Sequence, residues 1–299
     1  MAPKRKIQNC TSDRIFNFFT YFILTLVLII VAYPLYFTII SSISDPVMVA
    51  TGNVTWRPIG INFEGYSAVF NHKAVMRGFK NSFIYTLFGT AINVFLTLPA
   101  AYSMSRPDLK GKNYIMLFFM ITMFVSGGLI PTYLVIKNLG MIDTIWALVI
   151  PGAVSIYNLI IAMTFFKNTI PDSLLEAAKM DGCSNTKFFL KIVLPLSSAI
   201  IAILVLYYGV GHWNSYFNAM IYLTSPEKFP LQLELRSILV KSAMKQSMVK
   251  DLAELQRQQQ LAELMKYSLI IISSVPILLV YPFIQKYFVK GVMIGSIKG

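Results

Sequence analysis

Charge is scarce in this sequence. Of its 299 residues only 13% are Asp, Glu, Lys or Arg, whereas 56% are hydrophobic, and mean hydropathy is +0.63. A soluble chain of this length needs a polar shell, and these residues cannot build one, so the composition is that of an integral membrane protein. Acidic charge is scarcest: 13 Asp and Glu stand against 26 Lys and Arg, a formal net charge of +13. In a soluble protein that imbalance would point to nucleic acid. Beside a bilayer it holds loops at an anionic cytoplasmic leaflet, and no nucleic-acid partner is expected. The two cysteines, Cys10 and Cys183, exclude a disulfide framework.

Equipment for chemistry is also missing. No GxxxxGK[ST] occurs, so the chain has no phosphate-binding loop of its own. Tyr208-Gly209-Val210-Gly211 is a lone GxG inside an apolar run, better explained by helix packing. His72 and His212 lie far from the cysteines in sequence, and neither a metal-ligand cluster nor a Ser-His-acid grouping appears. Catalysis, a bound cofactor and a metal site are not expected on this chain.

What is present is apolar length. Six runs are long enough for a bilayer core of roughly 30 Å, at 17–41, 82–102, 114–135, 145–166, 199–223 and 267–285, and none contains Asp, Glu, Lys or Arg. Backbone in lipid must satisfy itself, so all six are expected to be helices, with Pro34, Pro99, Pro131, Pro151 and Pro276 marking kinks. The short segment SMSRPDLKGKN carries Arg106, Lys110 and Lys112, and both ends of the chain are lysine-rich. Both termini and the 103–113 and 167–198 loops are therefore expected in the cytoplasm. The expected division is a cytoplasmic segment 1–16, a first span 17–41, an extracytoplasmic loop 42–81, a five-helix core 82–285 and a cytoplasmic tail 286–299. The core includes the loop 167–198 and an extracytoplasmic insertion 224–266, whose Leu252, Leu255, Leu261 and Leu264 have helical spacing. That insertion reads equally as a cap on the bundle and as a dock for an external partner.

One polar stretch sits between two apolar runs: LLEAAKMDGCSNTKFFLKIVLPL, from Leu174 to Leu196. Ser173 followed by Glu176 fits a capping box. A short helix is expected through Leu174, Leu175, Ala177, Ala178 and Met180, ended after Asp181 by Gly182 in the left-handed position. Ser184 can cap a second helix, with Phe188 and Ile192 on one face. Leu194-Pro195 is expected to close it and open the fifth span. Physically this is a rigid element with small side chains, offered either to a partner or back to its own bundle.

These residues resemble a family. Glu176-Ala177-Ala178, three residues, Gly182, nine residues, Ile192, one residue and Leu194-Pro195 match the EAA-x3-G-x9-I-x-LP signature of permease subunits of bacterial binding-protein-dependent ABC importers. GGLIPTYLVIKNLGMIDTIWALVIPGAVSIYNLIIAMTFF and GHWNSYFNAMIYL look like the carbohydrate branch, particularly oligosaccharide permeases. The resemblance implies an all-α type I importer permease in the bacterial cell membrane. It also implies a homologous second permease, two ATP-binding cassette subunits that hold the ATP and Mg, and an external solute-binding protein delivering a carbohydrate. The helix with Ser173, Leu174, Leu175, Glu176, Ala177, Ala178, Met180, Asp181 and Gly182 would be the coupling helix seated in one ATPase. For a sugar path, amides and aromatics are the apt residue types, and Trp213, Asn214, Tyr216, Asn218, His212, Asn93 and Asn158 are the candidates. The alternative for these is that polar side chains join helices to one another. Import of a peptide or amino acid, an ion-coupled carrier and a non-transporting scaffold stay open as other readings of the chain.

Overall fold

The computed structural model describes residues 11–244 and 252–296. Cys10, the start of the expected cytoplasmic segment, residues 245–251 of the expected insertion and the last three residues of the tail lie outside them. Among the described residues the chain is helical, without strands. The helices are α1 (Thr11–Ser42), α2 (Pro46–Ala50), α3 (Glu64–Asn71), α4 (Lys73–Ser105), α5 (Lys112–Phe124), α6 (Leu129–Asn138), α7 (Trp146–Val149), α8 (Ile156–Thr169) and α9 (Asp172–Met180). After these come α10 (Asn185–Phe188), a π turn (Phe189–Val193), α11 (Leu194–Leu196), α12 (Ser198–Trp213), α13 (Phe217–Tyr222), α14 (Leu231–Met244) and α15 (Leu252–Ser296).

Three helical stretches are long and apolar enough to cross a membrane: Thr11–Ser42, Lys73–Ser105 and Ala262–Phe283. Two bent pairs pass the same test jointly, α5 with α6 at 113° and Asn185–Leu196 with α12 at 81°. The apolar runs at 114–135, 145–166 and 199–223 are thus not straight spans. The first breaks at 125–128, where Gly128 takes φ +86°, a conformation glycine enters without steric cost. The second is interrupted between α7 and α8. The third ends at Trp213 and resumes at Phe217. The prolines mark breaks only in part, since Pro34, Pro99 and Pro276 all lie inside continuous helices. The leucine-spaced stretch after Leu252 is helical, and it runs on into the last apolar run as one 45-residue helix.

Contacts between backbones divide the chain into two units, one of described residues up to Val69 with Ser242–Ile272, the other Phe70–Lys241 with the chain from Ser273. In the first, Ile40, Val49 and Val54 are buried, and Phe37 and Tyr267 pack against them, their rings edge to face at 6.1 Å. Asp45 caps α2, its carboxylate accepting from Val47 N at 2.8 Å. In the second, α4 lies against α12 and α8. Its main core joins Leu98, Ala101 and Tyr102 of α4 to Leu159 and Phe166 of α8, Leu175 and Ala178 of α9, Phe188 of α10, and Ile200 and Leu204 of α12. The polar loop is therefore built into the core of the bundle.

Candidate functional site

The 171–197 loop contains two helical pieces, and its caps differ from the expected ones. Helix α9 starts at Asp172 with Pro171 in the N-cap position and no side-chain cap, so Ser173 does not cap it and the capping box with Glu176 is not formed. Pro171 has no N–H to satisfy, and Asp172 places a negative charge in the first turn, where the helix dipole favours it. The other end is as the sequence predicts. Gly182 takes φ +71°, its N–H reaches Lys179 O at 3.0 Å and Cys183 N reaches Ala178 O at 2.9 Å, the two bonds of a Schellman ending. Ser184 caps α10, accepting from Lys187 N at 3.3 Å.

Helix α9 has two faces. Leu175 and Ala178 are buried in this chain's own core, with Leu174 and Cys183 packed at its edge. On the other side Ser173, Glu176, Ala177 and Met180 are exposed, Met180 at 88%. Their spacing of three, four and seven residues makes one stripe along the helix. The leucines and Ala178 therefore moor the helix, and the open face consists of Ser173, Glu176, Ala177 and Met180. Asp181 and Gly182 are exposed at its end. Downstream, Pro195 cannot donate to the Lys191 carbonyl and its ring crowds that turn. Phe189–Val193 widen into a π turn, and the chain bends 81° before α12. The loop helix ends at Leu196, just after Pro195, and α12 begins at Ser198.

The sugar-path candidates fall into two groups. Asn93, His212 and Trp213 are hydrogen-bonded within the bundle. Both hydrogens of the buried Asn93 amide go to the carbonyls of Gly152 and Ala153, each at 2.8 Å. Its Oδ1, left as acceptor, receives His212 Nε2–H at 2.6 Å. Gly89 makes room for that imidazole, since a Cβ there would lie 2.4 Å from Nε2. Trp213 donates its indole N–H to Ser273 O at 2.9 Å, near the gap that Pro276 leaves in α15, and its ring meets Phe79 edge to face. The recess beside Trp213 is walled mainly by carbon, from Phe83, Leu87, Val210, Pro276 and Ile277, with Thr86 and Thr90 also in its lining. Asn158 is buried in α8. Asn214, Tyr216 and Asn218 are exposed around the turn from α12 to α13. There Asn214 Oδ1 accepts from Gln232 Nε2 at 3.4 Å, and the Arg236 guanidinium lies 5.3 Å from the Tyr216 ring centre.

Some important residues had no motif to mark them. Tyr208 places its hydroxyl 2.7 Å from that of Thr97 and accepts from Ser155 N at 3.0 Å. With Asn93 it supplies partners to the non-helical backbone between α7 and α8, as buried irregular backbone requires. Asp143 is a second such residue. Its carboxylate accepts from Thr224 N, Ser225 N and Ser225 Oγ, and Lys228 Nζ reaches it at 2.6 Å. These bonds, the one to the Lys228 ammonium foremost, hold its carboxyl well below the usual carboxylate range. At the opposite end of α4, Arg106 links Asp108 and Asp172, each at 3.5 Å, and Lys179 pairs with Asp108 at 3.7 Å.

Comparison with known proteins accords with this geometry. The chain is 39% identical over 288 residues to the polygalacturonan/rhamnogalacturonan transport system permease protein YtcP of Bacillus subtilis (strain 168), covering 96% of this chain and 99% of that one. It is 36% identical to protein LplC of the same organism over the full length of both. A chain from the crystal structure of a bacterial ABC transporter involved in the import of the acidic polysaccharide alginate superposes with a TM-score of 0.83 at 30% identity, over 93% of this chain and 98% of that one. Residues 73–294 match the model of binding-protein-dependent transport system inner membrane components, and a match over that much of the chain, with relatives this similar, shows that the chain belongs to that family.

Proposed function

We propose that the chain is one of two permeases in an ATP-driven importer, and that its cargo is an oligosaccharide handed over by an external solute-binding protein. A carbohydrate cargo is supported by the polygalacturonan/rhamnogalacturonan transport of YtcP and the alginate import of the solved transporter. The single observation that supports the coupling role is the two-faced α9. One face is locked into the bundle by Leu175 and Ala178, and the other presents Ser173, Glu176, Ala177 and Met180 to whatever lies below. A lever needs both a fixed grip and a free face. ATP binding biases one conformation of the ATPases, and this helix would carry the bias into the bundle. ATP and Mg stay on the ATPase subunits, and the permease supplies no chemistry.

In this reading the three long helices, the two bent pairs and the α7–α8 segment make six crossings of the bacterial cell membrane, with both termini and the 167–198 loop in the cytoplasm. Residues 42–81 and the 224–266 insertion face outward, and Asn214, Tyr216 and Asn218 are the path candidates on the exposed turn from α12 to α13. The test is reconstitution of the chain with its partner permease, ATPases and binding protein in liposomes. Uptake of an oligogalacturonide, a neutral maltodextrin and a short peptide is then followed with ATP or with an imposed ion gradient. ATP-dependent uptake of an oligosaccharide is expected. Uptake of the peptide alone, or uptake driven by the gradient without ATP, would overturn the reading.

A further inference from the structure

Arg106 stands one residue beyond the end of α4, where its N–H still bonds Ser103 O at 3.2 Å. Its side chain is only 13% exposed, unusual for a cation at the end of a helix. Three groups account for that burial. The guanidinium Nε faces Asp108 of the following loop and Nη1 faces Asp172 in the first turn of α9, each at 3.5 Å. Its carbon lies 5.9 Å from the ring centre of Tyr102, and that ring rests in turn on Phe166 of α8 and Phe189 of the π turn. Lys112 Nζ donates to the Arg106 carbonyl at 3.2 Å and closes the loop. A planar fork can address two carboxylates and one aromatic face together, which a lysine ammonium cannot. The chain joins α9 covalently to α8 and α10. Apart from hydrophobic packing, α9 is linked to the end of α4 by this guanidinium on Asp172 and by Lys179 on Asp108, a carboxylate that the same guanidinium holds. Helix α4 also carries Asn93 and Thr97, which tie it to α12 and to the broken segment before α8.

We propose that Arg106 is a positioning residue that transmits displacement of α9 into α4, so that movement imposed on the loop helix reaches the centre of the bundle. The proposal rests on the reading of α9 as the ATPase-docking helix, and the experiment separates the two. Full complexes are prepared with Arg106→Gln, Asp172→Asn or Asp172→Glu, and sugar transported per ATP hydrolysed is measured in liposomes. Asp172 is 64% exposed, so its substitution spares the core should Arg106→Gln fail to fold. The expected result is that ATPase subunits co-purify with Asp172→Asn as with the parent chain. Transport per ATP then falls about fivefold or more, on the order of a typical coupling free energy, and Asp172→Glu restores it. Unchanged transport per ATP in Asp172→Asn would overturn the tie, as would loss of the ATPases from that variant. In parallel, Ala177→Cys is cross-linked in a background with Cys10→Ser and Cys183→Ser. Capture of an ATPase there alongside normal transport by Asp172→Asn would sink the tie alone, whereas no capture would sink the docking reading on which it stands.

Discussion

At the scale of single residues, chemistry and position can be separated on α9. Glu176 is exposed on the open stripe and makes no cap, so Glu176→Lys should leave the chain folded and weaken ATPase docking. Retained membrane insertion with reduced co-purification of the ATPases is the expected outcome. Gly182 differs, because a Cβ there meets nothing within 4 Å and only its φ of +71° opposes a side chain. Gly182→Ala should therefore cost about 1–2 kcal/mol of local stability. Gly182→Pro should cost more, losing the N–H to Lys179 O as well. Hydrogen exchange at the end of α9 measures both. Asp143 ties the residues after α13 to the turn before α7, and its folded carboxyl titrates below its unfolded value. Such a group contributes stability above the ordinary carboxylate range and loses it as pH falls through the depressed folded value. Asp143→Asn should thus lower the melting temperature at neutral pH, with the gap to the parent chain narrowing only in strong acid. Melting curves taken across pH check the sign.

At the scale of elements, proline does not by itself decide where a helix ends. Helix α15 passes Pro276 and Pro282 unbroken, while the chain breaks between α5 and α6 at Val125–Gly128 and between α7 and α8. What makes the second break tolerable is polar side chains from other helices, Asn93 and Tyr208, which meet the carbonyls of Gly152 and Ala153 and the N–H of Ser155. Removing one partner leaves buried groups unsatisfied, at about 1–3 kcal/mol. Asn93→Ala and Tyr208→Phe should each lower bundle stability by amounts of that order, read as detergent melting temperature, while sugar affinity in any surviving complex changes little. The residue types for sugar binding were visible in the sequence. Their engagement was not, since an amide that lines a path and one that joins helices read alike until their partners are known.

At the scale of the whole molecule, the proposed function makes the chain a transmission component. Large hydrophobic side chains are exposed along its long helices, as a bilayer-embedded permease requires. Orientation provides the test at this scale. Cysteines placed singly at Lys110 and at Lys228, in a Cys10→Ser and Cys183→Ser background, should label differently in right-side-out vesicles. A membrane-impermeant thiol reagent is expected to reach position 228 and not position 110. The opposite pattern would invert the topology and with it the assignment of α9 to the cytoplasm.

Amino-acid order alone determined membrane class, helical content, the Gly182 ending and the loop that carries the family signature, because each depends on local composition or on spacing of a few residues. The tertiary structure decided which face of α9 is open, that Asp172 and not Ser173 begins it, where the apolar runs bend, and which groups of the bundle Asn93, His212 and Trp213 bond to. The last of these depends on partners 59 to 119 residues away in sequence, and no local pattern encodes which distant carbonyl or carboxylate a side chain will meet.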